Sequence, residues 1–312
     1  MKPVRGPLRV AGATVGAWAA WRVLGPELPR RYAPGQVRPA RIPGRSVILG
    51  EREFFVREAG SPDAPPLVLV HGWSLDGEMT YGPLVARLGD RYRIVVPDLR
   101  NHGKSDWIRG SYTVADLADD VAGLLDAIGV QRATVMGYSL GGMVTMELAR
   151  RSPHLVGRVV LAATAARPVP ARRGPARVAF WVGRAIARIS TKEAAVLTTQ
   201  VLLRTGSIDR THERWMYEGL RRRDGGLFYE AGLAAFHFDA RDWVGRLGLP
   251  AAVVIPTRDL LVPTAAQREL AGLLPGAMVV ELEDAGHESI LTRTDAYVAV
   301  IDALTSGARQ TG

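Results

Sequence analysis

The sequence predicts an α/β fold with a doubly wound, mainly parallel sheet and a helical insertion. Short β-rich runs alternate with helical stretches along residues 46–162 and again from residue 251 onward, which is typical of strand–helix–strand units. The run Leu67–Val70 is continuously apolar, as expected for a strand that is buried on both faces. The alternation stops between Ala163 and Arg246, where the pattern indicates helices and no clear strand.

The first part of the predicted sheet opens with a hairpin, since Ser46–Leu49 and Phe54–Arg57 are β-rich and flank Gly50. The helix predicted over Thr113–Ile128 has apolar residues at helical spacing and is followed by Gly129, a common helix terminator. The same criteria predict the strands Leu67–Val70, Arg93–Val96, Ala133–Met136 and Arg158–Ala162, and the helices Gly82–Leu88 and Leu140–Arg151.

The second part contains two further strand–helix pairs, namely the strands Ala251–Ile255 and Met278–Leu282 and the helices Ala265–Leu274 and Asp295–Leu304. Between the two parts, helical patterns cover Ala176–Ile189, Lys192–Thr205, Thr211–Leu220 and Gly226–Phe238. An insert of roughly 80 residues between two strands of one sheet is typical of a lid or cap. We therefore expect a core over residues 46–164 and 247–306 and a helical cap over residues 165–246.

Composition and charge exclude several classes of protein. The 312 residues are 47% hydrophobic, which excludes a disordered or fibrous chain. The absence of Cys excludes a disulfide scaffold, a Cys nucleophile and a thiolate metal site. The net charge of +9 lies in two blocks, with +7 over residues 1–60 and +7 over residues 165–246. This distribution disfavours a uniformly basic nucleic-acid-binding protein, whereas a basic arm and cap could meet anionic lipid.

The N-terminal segment, residues 1–24, contains an uncharged stretch from Val10 to Trp21. Its 12 residues are fewer than the about 20 that a transmembrane helix needs. Three interpretations stay open: an interfacial or partner-docking helix, a helix packed on the protein's own core, and a cleaved signal. Residues 25–45 are rich in Pro and Arg and indicate a linker. We expect a cytoplasmic or peripherally membrane-associated protein, and secretion is disfavoured.

The strongest chemical signal is Gly137-Tyr138-Ser139-Leu140-Gly141, which fits the pattern G-x-S-x-G. A predicted strand precedes it and a predicted helix follows it, which is the context of a nucleophile elbow. The tight turn strains the serine and favours glycine on either side, where other side chains would collide. Ser139 is therefore the predicted nucleophile, and a structural turn is the alternative interpretation.

A serine hydroxyl needs a base, and six histidines are available. His287 follows the strand Met278–Leu282 directly, at the carboxyl end of a strand where sites gather in open α/β sheets. Asp259 follows the strand Ala251–Ile255 and is the predicted carboxylate that orients the base. Asp284 is the rival carboxylate, but its position close to His287 indicates a turn. The order Ser139, Asp259, His287 is the order expected for a nucleophile elbow of this type.

A developing oxyanion needs at least two N–H donors. The backbone N–H of Leu140 is one candidate, and that of Trp73, in the loop after Leu67–Val70, is the other. The alternative is that Trp73 only lines the pocket. Candidate substrate-binding residues are apolar or aromatic side chains near the elbow or in the cap. They are Tyr138, Met143, Trp181 and His237.

These motifs together resemble the α/β-hydrolase fold superfamily, in its serine esterase and lipase-like branch. The resemblance covers residues 46–306 and includes VHGWS, PDLRNHGKSD, GYSLGG, PTRDLLVP and DAGHES in this order. It implies an eight-stranded sheet, a cap after the sixth strand, and Ser-Asp-His hydrolysis through an acyl-enzyme. Relatives that open epoxides or remove halides carry Asp at the position of Ser139, so these activities are disfavoured. Residues 1–45 match nothing in the core of this superfamily.

The residues support three hypotheses for the function. The first is hydrolysis of a small-molecule carboxylic ester with a hydrophobic acyl or alcohol part. The second uses the same triad for carbon–carbon bond, lactone or thioester hydrolysis, for acyl transfer, or for cofactor-free perhydrolysis of the haloperoxidase kind. The third is a non-catalytic ligand-binding module, which the complete triad disfavours. None of these reactions requires a cofactor or a metal ion, and we expect no nucleic-acid partner.

Overall fold

The computed structural model describes residues 32, 34–38, 41–73, 75–168, 183–206, 208–222 and 224–306. One eight-stranded sheet forms the centre of the molecule, with the strand order β1-β2-β4-β3-β5-β6-β7-β8. β1 pairs with β2 and β2 with β4 in antiparallel fashion, and all other neighbours are parallel. The strands are β1 Gly44–Leu49, β2 Arg52–Ala59, β3 Pro66–Val70, β4 Arg93–Pro97, β5 Ala133–Tyr138, β6 Val156–Ala162, β7 Ala251–Pro256 and β8 Met278–Leu282.

Helices follow the parallel strands as predicted. In the core they are α1 Gly77–Leu88, α2 Val114–Ala127, α3 Leu140–Arg151, α7 Thr264–Leu273, α8 Ser289–Thr292 and α9 Thr294–Ser306. Between β6 and β7 the described residues form α4 Thr191–Arg204, α5 Glu213–Arg221 and α6 Gly225–Phe236, and residues 183–189 are helical as well. The predicted doubly wound, mainly parallel eight-stranded sheet is confirmed.

The sheet is buried on both faces because side chains of a strand alternate between them. In β5, which is buried throughout, Val135 belongs to the core formed with α2, α3 and α7. Its neighbour Met136 belongs to the core formed with α1 and α9. Continuous apolar strands are therefore the sequence signature of this double cover, as expected for β3 and β5.

The start of α1 differs from the sequence prediction. The predicted helix Gly82–Leu88 would place Pro83 in the first turn, where proline is well tolerated, but the helix begins at Gly77. Asp76 caps it, since its side chain accepts a hydrogen bond from the Met79 N–H at 2.8 Å. Pro83 therefore lies inside the helix, where it removes one backbone donor.

The interpretations of the N-terminal segment concern residues 1–24, which lie outside the described residues. So does the first half of the predicted helix Ala176–Ile189, of which residues 183–189 are described and helical. Among the helices of the described residues, none is both long and apolar enough to cross a membrane.

Candidate active site

Ser139 lies at the turn between β5 and α3, with φ 55° and ψ −118°. This backbone conformation is strained for any residue with a side chain. Two glycines allow the turn: a Cβ on Gly141 would lie 2.0 Å from the Val70 carbonyl oxygen, and one on Gly137 would lie 2.2 Å from the Gly141 carbonyl oxygen. The local sequence therefore forms the tight strand–turn–helix that the G-x-S-x-G pattern predicts.

The loops after β7 and β8 bring two further side chains to Ser139. His287 Nε2 lies 3.1 Å from Ser139 Oγ, and His287 Nδ1 lies 2.8 Å from Asp259 Oδ2. Ser139, Asp259 and His287 are 8%, 5% and 4% exposed. The structure thus joins the three predicted residues in one hydrogen-bonded chain that is largely removed from water.

The hydrogen bonds decide the tautomer of His287. The buried Asp259 carboxylate accepts from the Leu261 and Val262 N–H groups through Oδ1, both at 2.9 Å. A carboxylate in that environment only accepts, so His287 Nδ1 carries the proton and donates it to Oδ2. Nε2 then presents its lone pair to Ser139 Oγ, as a general base must.

The rival carboxylate, Asp284, takes no part in this chain. It is exposed, has φ 56°, and pairs with Arg258 Nη2 at 2.7 Å. Its role is that of a turn residue on the surface, as its sequence position indicates.

Tyr138 lies directly before Ser139 and contacts His287. Its hydroxyl donates to the His287 carbonyl oxygen, and the two rings are 5.1 Å apart between centroids. Complete burial raises the pKa of Tyr138 well above its usual value, so the hydroxyl stays protonated and remains a donor. Tyr138 therefore holds the backbone of the loop that carries the histidine.

The loop after β3 approaches the nucleophile closely, since a Cβ on Gly72 would lie 3.3 Å from Ser139 Cβ. The side chain of His71 fixes the peptide group between Gly72 and Trp73. The Leu99 N–H donates to His71 Nε2 at 3.0 Å, so the ring proton is on Nδ1, which donates to the Gly72 carbonyl oxygen at 2.8 Å. In a trans peptide the following N–H, that of Trp73, points away from this carbonyl. The direction of the predicted oxyanion donor is therefore set by a buried histidine.

A second buried histidine holds the other side of Trp73. His102 Nε2 lies 2.5 Å from the Trp73 carbonyl oxygen, and His102 Nδ1 lies 2.9 Å from the Arg100 carbonyl oxygen. The rings of His71 and His102 are 5.1 Å apart. Both peptides that flank the Trp73 Cα are thus held by histidine side chains with no exposed surface.

The side chain of Trp73 connects this loop to the insert between β6 and β7. Its ring stacks on Phe228 in α6 at 4.5 Å, and its Nε1–H donates to the Phe228 carbonyl oxygen at 2.7 Å. Tyr229 lies 6.0 Å from the Trp73 ring and contacts Thr198 in α4 through its hydroxyl. An aromatic wall therefore extends from the loop after β3 into the insert.

The other predicted substrate-binding residues occupy different places. Met143 is buried in the first turn of α3, within the core. His237 is exposed just beyond the end of α6. Trp181 lies outside the described residues. Within the described part of the chain, no group of three or more His, Cys, Asp or Glu side chains is arranged to hold a metal ion.

Comparison with known proteins agrees with this geometry. The family model described as alpha/beta hydrolase fold matches residues 65–294. The chain belongs to the α/β-hydrolase fold family. It is a member of an enzyme family, and the relatives with named activities are esterases and other hydrolases.

Three similar proteins illustrate the range within the α/β-hydrolase family. A pimeloyl-[acyl-carrier protein] methyl ester esterase of Chromobacterium violaceum is 31% identical over 254 residues, which cover 80% of this chain and 96% of that protein. The crystal structure of the enol-lactonase from Burkholderia xenovorans LB400 matches with a TM-score of 0.74 and 29% identity, over 84% of this chain and all of that one. An uncharacterized protein of Mycobacterium tuberculosis is 36% identical over 125 residues. The chain spans only about a third of that relative, since the match covers 35% of its length and 40% of this chain.

Sequence reasoning missed one residue at the centre of this α/β-hydrolase site. Gln267, in α7, is fully buried, and its Nε2–H₂ donates to Asp259 Oδ2 and to the Val262 carbonyl oxygen, both at 2.9 Å. A signal was present, because Gln267 shares a helix face with the buried Leu270. A glutamine on an apolar face needs a polar partner. Asp259 was the nearest residue in sequence that was predicted to belong to the site.

Proposed function

We propose that this α/β hydrolase cleaves small-molecule carboxylic esters through an acyl-enzyme on Ser139. The observation that carries the proposal is the hydrogen-bonded chain Ser139–His287–Asp259, at 3.1 and 2.8 Å, with Ser139 in a strained turn. Nucleophile, base and orienting carboxylate within hydrogen-bond reach are the geometric signature of nucleophilic catalysis.

In the first half-reaction Ser139 Oγ attacks the carbonyl carbon of the ester and His287 Nε2 accepts the hydroxyl proton. Asp259 stabilises the imidazolium that forms. The tetrahedral oxyanion is bound by the backbone N–H groups of Leu140 and Trp73, each typically worth about 3–4 kcal/mol of barrier. His287 then protonates the leaving alcohol. In the second half-reaction His287 activates water, which releases the acid and restores Ser139.

The acyl or alcohol part that fits best is hydrophobic. Trp73 and the two aromatic residues Phe228 and Tyr229 form the wall next to the oxyanion loop, and their contacts link the core to the insert. This supports the assignment of residues 165–246 as a cap over the site. The methyl ester esterase activity in the name of the Chromobacterium violaceum relative is consistent with ester substrates.

Lactone hydrolysis is the second candidate. It is favoured by the likeness to the enol-lactonase of Burkholderia xenovorans LB400, which extends over the whole of that chain. A lactone is a cyclic ester, so the same attack at an acyl carbon opens it and the leaving alcohol stays attached to the acyl group. The two candidates differ in the shape of the pocket and not in the catalytic residues.

Membrane-surface association through residues 1–24 and the basic cap stays a separate proposal. Deletion of residues 1–24 should leave turnover of a soluble ester nearly intact and reduce binding to anionic liposomes. Equal liposome binding of the full chain and the shortened chain would contradict the membrane-arm proposal.

The nucleophile is tested with a fluorophosphonate probe, which labels an activated serine. Ser139→Ala should abolish labelling. Ser105→Ala is the matched control, because Ser105 is also buried but accepts from the Phe55 N–H and donates to the Asp98 carbonyl oxygen. Labelling of the Ser139→Ala variant at the wild-type rate would refute the assignment.

The substrate class is tested by kcat/KM for p-nitrophenyl esters of graded acyl length, a γ-lactone, an enol-lactone, a thioester and a diketone. The highest kcat/KM on an acyclic ester supports the first candidate, and the highest on a lactone supports the second. Turnover of the diketone alone would contradict both.

A further inference from the structure

A basic groove lies at the edge of the sheet opposite to Ser139, where the parallel strands begin. Its volume is about 830 Å³. It is formed by residues before or near the start of β3, β4, β5 and β6 together with the end of α9. The lining residues are Pro65, Pro66, Arg91, Tyr92, Arg132, Thr134, Arg158, Asp302, Thr305 and Ser306.

Irregular strand pairing directs Arg158 into this groove. Ala133 of β5 pairs with Val156 of β6, but the next residue, Thr134, pairs with Arg158 and not with Gly157. Side chains of a strand alternate between the two faces, so one extra residue reverses the face on which each later side chain lies. The irregularity therefore places Arg158 on the same face as Thr134, inside the groove.

Glycine at position 157 makes this arrangement possible. A Cβ at this position would lie 2.7 Å from the Arg132 carbonyl oxygen, a distance that a side chain could not tolerate. Arg132 itself has φ 48°, outside the usual range for a residue with a side chain. A strand irregularity next to Arg158 and a turn residue with positive φ at Arg132 thus occur side by side in this groove, and such irregularities are frequent next to binding sites.

Among the residues that line the groove, Asp302 is the single carboxylate, and it pairs with Arg91 and not with Arg132 or Arg158. Arg158 Nε is enclosed and lacks a hydrogen-bond acceptor within that part of the chain. Arg91 is different, since it pairs with Asp302 at 2.5 Å. Buried donors in folded proteins nearly always bond to protein or to water, so an Nε without a protein acceptor next to a cavity is available to an acceptor that enters the cavity.

The net charge of the groove also favours an acceptor that is an anion. Three arginines face one carboxylate, Asp302, which leaves two positive charges uncompensated. Asp302 is further occupied by the Tyr92 hydroxyl at 3.1 Å. Guanidinium groups prefer carboxylate and phosphate, which they bind through paired N–H donors.

We infer that this groove binds a small anion with at least two acceptor oxygens, of the phosphate or carboxylate class, through Arg158 and Arg132. The site is separate from the triad. β5 has six residues and leads from Arg132 to Ser139, so at about 3.3 Å per residue the two edges lie about 17 Å or more apart. The anion therefore binds at a separate site and is not the ester substrate.

The test is isothermal titration calorimetry of the full chain in Tris chloride at constant ionic strength, with inorganic phosphate and, separately, succinate. One-site saturable binding of either anion is expected, and the tighter of the two identifies the class. Arg158→Gln should weaken the Kd at least tenfold. Arg132→Gln should weaken it as well and serves if the first variant does not fold.

Arg268→Gln is the matched control, because it removes one positive charge but its guanidinium already pairs with Glu281 through two bonds of 2.7 Å. This variant should bind the anion like the wild type, and all three variants should keep the wild-type kcat/KM on a soluble ester. The inference is overturned if neither anion shows saturable binding, or if Arg158→Gln and Arg132→Gln retain the wild-type Kd.

Discussion

Replacing Asp259 with asparagine tests the proposed orientation of the base, and the structure dictates which amide atom would face His287. Asp259 Oδ1 accepts from two backbone N–H groups, those of Leu261 and Val262. In the variant this position must hold the amide oxygen, since an NH₂ group there would face two donors. The NH₂ group then takes the place of Oδ2, next to His287 Nδ1, where the donor it meets besides the histidine is the side-chain amide of Gln267, which can turn away as the two fixed backbone N–H groups cannot.

An NH₂ group next to Nδ1 reverses the histidine tautomer. Nδ1 becomes the acceptor, the ring proton moves to Nε2, and Nε2 can no longer accept the proton of Ser139. The negative charge that stabilises the imidazolium is lost as well. In a serine protease, the same exchange in a Ser-His-Asp triad lowers kcat by about 10⁴, or about 5.5 kcal/mol of barrier. We expect a loss of this order here, between about 10³ and 10⁴.

The assay is steady-state hydrolysis of a p-nitrophenyl ester between pH 6 and 9, with the urea midpoint measured in parallel to show that the variant is folded. Asp284→Asn is the matched control, because Asp284 is the other carboxylate near His287 in sequence but pairs with Arg258 on the surface. It should keep wild-type kcat. A folded Asp259→Asn variant within tenfold of the wild type would refute the orientation argument.

Three further predictions concern residues around the site and one helix cap. Gln267→Leu removes a charge-assisted hydrogen bond from the Asp259 carboxylate. The free energy of unfolding, measured by urea titration, should therefore fall by about 1.5–3 kcal/mol. An unchanged free energy of unfolding would contradict this prediction. His102→Phe removes the hydrogen bond to the Trp73 carbonyl oxygen, in the loop of the proposed oxyanion donor. We expect kcat to fall about tenfold or more with little change in KM, as for interactions made only in the transition state. A change in KM alone would contradict this prediction. Asp116 accepts from the Thr113 side chain, and this bond above all lowers its pKa. Asp116→Asn should therefore cost up to about 1 kcal/mol at pH 7. The difference from the wild type should begin to shrink as the pH falls below about 4, where the unfolded chain takes up the proton, and it should be lost only below the lowered pKa of Asp116 in the folded state. A difference that stays the same from pH 6 down to pH 3 would contradict the capping argument.

The sheet could be predicted because its strands are long apolar runs. β3, β5 and β7 are buried almost throughout, and such runs can only form strands covered on both faces. The start of α1 could not be predicted in the same way. Pro83 is compatible both with the first turn and with an interior position, and only the hydrogen bond from Met79 N–H to Asp76 decides between them.

The proximity of Ser139, Asp259 and His287 could be predicted because each lies in the loop that follows a strand, where the parallel topology gathers its loops. Their supporting contacts could not, since they join segments that are far apart in sequence. Trp73 meets Phe228 from another part of the chain, and Leu99 supplies the N–H that fixes the tautomer of His71. No local pattern marks such pairs. Gln267 is the exception, because a buried glutamine on an apolar helix face is visible in the sequence.

The strained backbone at Ser139 requires neighbouring contacts that hold it in place. A positive φ at a residue with a side chain costs on the order of 1–3 kcal/mol and persists only where neighbouring structure enforces it. Here the Ser139 N–H donates to the Ala162 carbonyl oxygen at 2.9 Å, and its own carbonyl oxygen accepts from the Gly142 N–H at 3.0 Å. Both peptide groups of the serine are therefore held by the sheet and by α3. The strained backbone thereby holds the hydroxyl within 3.1 Å of His287 Nε2.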